Sequence, residues 1–151
     1  MKKPLRVILM VTPLLIGALL LGACSGPVTG DGANAGLGEM VSVGSGSYTN
    51  LSPGELKAML DEKDVTFINV HIPFQGDIPG TDLSVPFDEI EDNLDRLPED
   101  KEARIVLYCR SGSMSRTASR TLVELGYTNV WNLEGGFNAW QEAGYPMAGE
   151  E

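Results

Sequence analysis

The sequence predicts an α/β domain built as an open parallel sheet flanked by helices on both faces. Short apolar runs at residues 65–70, 105–108 and 129–133 carry β-favouring side chains and suit strands buried on both faces. Segments with helical spacing precede and separate them, marked by Leu56, Met59 and Leu60, by Phe87, Ile90, Leu94 and Leu97, and by Ala118, Leu122 and Leu125. Short strands alternating with helices imply parallel pairing with helices as crossovers. At 151 residues, 42% of them hydrophobic, the chain has room for one such core.

Residues 1–23 stand apart from that core. Lys2, Lys3 and Arg6 form a basic start, residues 7–21 are apolar apart from Thr12, Pro13 and Gly17, and Gly22 and Ala23 are small. The run is too short, and too soon followed by small polar residues, for a convincing spanning helix, and it reads as an export signal. The last residues, Leu21-Gly22-Ala23-Cys24, resemble the lipobox of bacterial lipoproteins. That resemblance implies lipid on Cys24 at the mature N-terminus and an exported chain anchored to a membrane on its extracytoplasmic side. An ordinary cleaved signal peptide or an uncleaved anchor is the alternative.

Three of the eleven basic residues and none of the twenty-one acidic ones precede Cys24, so the remainder carries −13. Such a surface repels nucleic acid. No acidic cluster has metal-ligand spacing, and neither a metal nor a cofactor is expected.

Residues 24–47 are rich in Gly, Ser, Ala and Asn, their hydrophobics keep no sustained period, and they read as a flexible tether. The domain is expected over 48–147, with 148–151 as a tail. Residues 48–51 suit either a short first strand or merely the entry to the domain. Ser52-Pro53-Gly54-Glu55 is a helix start, with Ser52 as N-cap and Glu55 three residues on, and the helix should end near Asp61 or Glu62. After the strand at 65–70, His71, Pro73, Gly76, Pro79 and Gly80 mark a long irregular crossing. A brief extended segment at Val85-Pro86 and an amphipathic helix over 87–97 follow. The strand at 129–133 leads through Gly135 and Gly136 into a closing helix that buries Trp140 and stops at Gly144.

The segment Ile105-Val-Leu-Tyr-Cys109-Arg-Ser-Gly-Ser-Met-Ser115 reads as strand, tight polar loop and helix start. Small residues after Cys109 allow the backbone to curl so that successive amides face one spot. A thiol there sits beside unpaired amides and the positive end of a helix dipole, which favour the thiolate. With Cys24 lipidated, Cys109 has no intrachain partner, in a compartment where thiols usually pair. A buried packing cysteine is the alternative. Candidate site residues are therefore Cys109 as nucleophile, with Arg110, Ser111, Gly112, Ser113, Met114 and Ser115 around its reactant. His71, the chain's single histidine, is a candidate proton donor or a structural residue.

Tyr108-Cys109-Arg110-Ser111-Gly112, followed by a helix, then Leu133-Glu-Gly-Gly-Phe-Asn-Ala-Trp140 and Gly144-Tyr-Pro146, resembles the rhodanese, or sulfurtransferase, domain from about residue 48 to 147. The resemblance implies that Cys109 takes the outer sulfur of thiosulfate or a related small anionic donor, holds it as a persulfide and passes it to a thiophilic acceptor. A module that carries persulfide without turnover, or only docks a protein, is the alternative from another class. Many family members carry an arginine five residues after the cysteine, where this chain has Met114; the usual Asp-Val-Arg is Asn69-Val70-His71 here. Dual-specificity phosphatases share the fold but need an arginine six residues after the cysteine. Ser115 stands there and Arg116 is one residue out of register.

Overall fold

The computed structural model describes residues 37–149. The export signal, Cys24, residues 24–36 of the expected tether and the last two residues of the tail lie outside the described residues. In chain order the elements are β1 (Glu39–Val43), β2 (Gly46–Leu51), α1 (Pro53–Glu62), β3 (Thr66–Asn69), β4 (Leu83–Ser84), a 3-10 segment (Glu91–Arg96), β5 (Ile105–Tyr108), α2 (Ser113–Glu124), β6 (Val130–Leu133) and α3 (Gly136–Glu142). The six strands form one sheet in the order β1-β2-β6-β5-β3-β4. All neighbours run parallel except β1 and β2, which pair antiparallel.

The central strand shows why both faces must be covered. All four residues of β5 are buried, and they alternate between two apolar clusters. Ile105 and Leu107 join Ala118 and Leu122 of α2, whereas Val106 and Tyr108 join Leu56 of α1 and Phe137 and Trp140 of α3. Cys109 continues the alternation and falls in the cluster on the α2 side.

At the start of α1 the capping box forms as the spacing predicts. The Ser52 hydroxyl accepts from the Glu55 amide at 3.4 Å, and the Glu55 carboxylate accepts from the Ser52 amide at 2.8 Å and from its hydroxyl at 2.6 Å. The same carboxylate accepts from the Gly38 amide at 2.9 Å, which pins the entry of β1 to the helix. These bonds, that from the Ser52 side chain foremost, hold Glu55 below the ordinary glutamate range. Its contribution to stability is therefore present above that range and is lost as pH falls through the depressed value.

Three expectations are corrected. Residues 39–43 are not tether but a strand, because Val41 and Val43 pack on the core while Met40 and Ser42 face out. Five residues are too few for that period of two to stand out. The helix expected at 87–97 is instead a 3-10 segment over Glu91–Arg96, broken at Asn93 with φ −120° and ψ 25°. The apolar positions do face inward, with Ile90 and Leu97 buried, but short polar side chains compete with the helix. The Asn93 amide, for one, donates to the Glu89 carbonyl at 2.8 Å. The extended pair β4 lies at Leu83–Ser84, two residues before Val85-Pro86.

Candidate active site

β5 ends at Tyr108, and Cys109 follows at the C-terminal edge of the sheet, where open α/β folds place their ligand sites. The chain turns through Arg110 and Ser111 to Gly112, whose φ of 86° is left-handed, and α2 begins at Ser113. The loop is thus shorter than the sequence suggests, since Met114 and Ser115 already belong to the first turn of the helix. The Gly112 amide donates to Cys109 Sγ at 3.2 Å, and the Ser115 hydroxyl lies 3.6 Å from the sulfur and 3.3 Å from the Gly112 carbonyl. The Arg116 amide closes the first helical bond on the Gly112 carbonyl at 3.0 Å, so the amides of Ser113, Met114 and Ser115 have no intrahelical acceptor. Cys109 itself is 1% exposed.

The expected residues divide by position. Cys109, Gly112 and Ser115 come together around the sulfur, while Arg110, Ser111 and Ser113 are exposed on the rim. Met114 is half-buried and packs against the cluster containing Cys109, filling space with its thioether. Arg116 pairs with Glu134 at 2.9 Å, which ties α2 to the turn before α3 and offsets much of the field the arginine would send to the loop.

The back of the loop is held by a clamp that the sequence reading did not find. Gly135 and Gly136 take φ of 74° and 61°, turning β6 sharply into α3. The first free amides of α3 then point at the loop: Phe137 N donates to the Cys109 carbonyl at 2.9 Å and Asn138 N to the Arg110 carbonyl at 3.1 Å. Tying these two carbonyls to α3 leaves the opposite side of the loop for the sulfur. The double glycine before a helix was the available signal, but its docking partner is 26 residues away.

A polar network supports the neighbouring crossing. Asn69 is 1% exposed; its amide donates to the Gly76 carbonyl at 3.0 Å and to Asp77 Oδ1 at 2.8 Å, and its oxygen accepts from the His71 amide at 2.9 Å. The Tyr108 hydroxyl donates to Asp77 Oδ1 at 3.1 Å, accepts from the Ile78 amide at 3.0 Å and lies 2.7 Å from Thr81 Oγ1. An aspartate at position 69 would lose both amide donors and face Asp77 with like charge, so Asn69 matches its surroundings. Burial pushes the Tyr108 hydroxyl well above the ordinary tyrosine range, so it stays a donor. Tyr108→Phe leaves the buried Ile78 amide without an acceptor, and we expect a loss of about 1–3 kcal/mol. Thermal unfolding should show it as a Tm lowered by about 5–20 °C; an unchanged Tm would mean the network carries no weight.

Comparison with known proteins agrees with this geometry. A family model described as the rhodanese-like domain matches residues 52–143. The chain is 35% identical over 96 residues to a sulfurtransferase of Allochromatium vinosum, covering 62% of this chain and 87% of that protein. It is 32% identical over 112 residues to the tRNA uridine(34) hydroxylase of Erwinia tasmaniensis, covering 68% of this chain but 31% of that protein. The chain thus spans about a third of that relative's length. Among solved structures, a rhodanese-related protein of Thermoplasma volcanium matches at a TM-score of 0.57 and 27% identity, covering 67% of this chain and 98% of that one. A Rhodopseudomonas palustris protein of unknown function, described as a possible tyrosine phosphatase, matches at 0.56 and 28%, covering 65% and 83%.

Proposed function

The chain belongs to the rhodanese-like family, and from that premise we propose that it is a sulfurtransferase that carries sulfane sulfur on Cys109. The observation that carries the reading is the sulfur at the C-terminal end of β5, receiving the Gly112 amide and facing the Ser115 hydroxyl beneath the start of α2. Donors in this arrangement suit a sulfur that bears negative charge before and after transfer. The phosphatase reading lacks its arginine, because Arg116 is out of register and paired with Glu134.

In the first step the Cys109 thiolate attacks the outer sulfur of thiosulfate. One S–S bond forms to Cys109 and one breaks, and sulfite leaves with the electron pair of the broken bond. Charge is conserved, since a thiolate and a dianion become a persulfide anion and a dianion. In the second step a thiophile such as cyanide attacks the outer persulfide sulfur, thiocyanate leaves and the Cys109 thiolate returns. The unbonded amides at the start of α2 are the candidate donors to the sulfite oxygens.

Purified protein given thiosulfate and cyanide should release many equivalents of thiocyanate per chain. Release that stops near one equivalent would identify a carrier without turnover, and hydrolysis of an aryl phosphate without thiocyanate would identify a phosphatase.

For location, we propose export and lipid attachment at Cys24, on the strength of the basic start, the apolar run and Leu21-Gly22-Ala23-Cys24. Among the described residues no helix is long and apolar enough to cross a membrane. Metabolic labelling with a fatty acid should mark the full chain, and Cys24→Ala should abolish the label and release the domain from membranes. Label persisting on that variant would contradict the proposal.

A further inference from the structure

We propose that His71 is a substrate contact of the sulfur-transfer site, giving a ring N–H to an oxygen of the anionic donor or departing sulfite; this rests on the sulfurtransferase reading. Two residues beyond the end of β3, His71 stands on the same edge of the sheet as the Cys109 loop. β3 and β5 are parallel neighbours with Asn69 beside Tyr108, and the ladder continues as Val70 N donates to the Tyr108 carbonyl at 2.9 Å. Val70 is thus level with Cys109, and His71 with Arg110, on strands roughly 4.8 Å apart.

The ring is fixed there. The His71 amide is bonded to Asn69 Oδ1 at 2.9 Å, and the imidazole meets the Phe137 ring edge-on, with centroids 5.6 Å apart and planes at 83°. Phe137 is the residue whose amide holds the Cys109 carbonyl. Histidine and sulfur are therefore positioned by one and the same residue.

Yet both ring nitrogens, Nδ1 and Nε2, are buried and have no hydrogen-bond partner. A neutral imidazole always has one donor and one acceptor, and leaving both unpaired away from water is costly. A ring held by its backbone amide and its contact with Phe137, with both polar atoms unused, is placed to bind something the protein itself does not supply.

The charges around the loop indicate what that is. Arg116 is committed to Glu134, Arg110 is exposed on the rim, and position 114 holds a half-buried methionine. No side chain within the loop is thus committed to binding the oxygens of the donor. A ring N–H from the adjacent strand supplies a directed donor in either protonation state, so the assignment does not depend on titration.

His71 is the chain's only histidine, so its ring proton signals are unambiguous in an NMR spectrum. In Cys109→Ser, which cannot take the sulfur, titration with thiosulfate or sulfite should shift these signals saturably, while sodium chloride at matched ionic strength should not. Signals that respond equally to chloride would overturn the proposal. His71→Phe keeps an aromatic ring against Phe137 and removes both unpaired nitrogens. It should fold with a Tm at or above wild type and lose about tenfold or more in kcat/KM for thiosulfate. Transfer from an alkyl persulfide, which has no oxygens to bind and gives up its outer sulfur as the alkyl thiolate leaves, should stay within about twofold of wild type.

Equal losses with both donors would mark the histidine as structural, and an unchanged thiosulfate rate would show that it touches no substrate; either overturns the proposal. The sulfurtransferase reading fails separately, if wild-type Cys109 takes no sulfur from either donor, and that result would remove the basis for this inference as well.

Discussion

Cys109→Ser should form no persulfide and should lose thiocyanate production by on the order of a thousandfold or more, with the fold intact. The substitution is close to isosteric at a position 1% exposed, and the serine oxygen can still accept from the Gly112 amide, so a change of only a few degrees in Tm is expected. What is lost is the nucleophile. A serine hydroxyl ionises far above neutral pH, whereas a thiolate attacks a sulfane sulfur readily. Cys109 is the only cysteine among the described residues, and Cys24, the other in the chain, is the proposed lipid site. Full activity in the serine variant would therefore remove the sulfur-carrier reading.

Gly136→Ala should be among the most damaging single-methyl changes in the domain. A Cβ there would overlap the Cys109 carbonyl oxygen and stand 2.6 Å from the Arg110 carbonyl carbon, both backbone atoms that cannot swing aside. The residue also has φ of 61°, which costs an L side chain about 1–2 kcal/mol before any collision. To make room, α3 must lift away from the loop, losing the Phe137 and Asn138 bonds to the Cys109 and Arg110 carbonyls. A total loss of about 3–5 kcal/mol is expected, or roughly 10–25 °C in Tm.

Gly144→Ala is the control. Its φ of 83° imposes a similar backbone penalty, but nothing lies within 4 Å of the added methyl. That variant should lose only about 1–2 kcal/mol and keep its activity. Equal Tm losses in the two variants would show that the clamp between α3 and the loop is not tight.

The features legible in the sequence were those set by local chemistry or strong periodicity. β5 was visible because four consecutive buried residues have one plausible state, and α1 because Ser52, Pro53 and Glu55 specify a helix start within four positions. The strand-loop-helix around Cys109 was legible for the same reason. β1 was hidden because its two inward valines gain their meaning only from Tyr48 and the α2 side of the core, which no local pattern reveals. The 87–97 segment misled in the opposite direction. Its apolar positions do face the core, but satisfying that spacing takes only a few 3-10 turns when Asp and Asn side chains compete for the backbone.

Within the candidate site, the loop around Cys109 was readable and the contacts that hold it were not. The bond from Phe137 N to the Cys109 carbonyl and the Asn69, Asp77 and Tyr108 network each join distant segments through single hydrogen bonds. The unpaired nitrogens of His71 likewise became visible only once its neighbours were in place.

The central claim, that Cys109 holds the sulfur in transit, is tested most directly by the mass of the peptide that contains it. After incubation with thiosulfate and removal of excess donor, that peptide should be heavier by one sulfur atom, and a pulse of cyanide should return it to its original mass while one equivalent of thiocyanate appears. A Cys109 peptide that stays at its unmodified mass while the protein still produces thiocyanate would contradict the account.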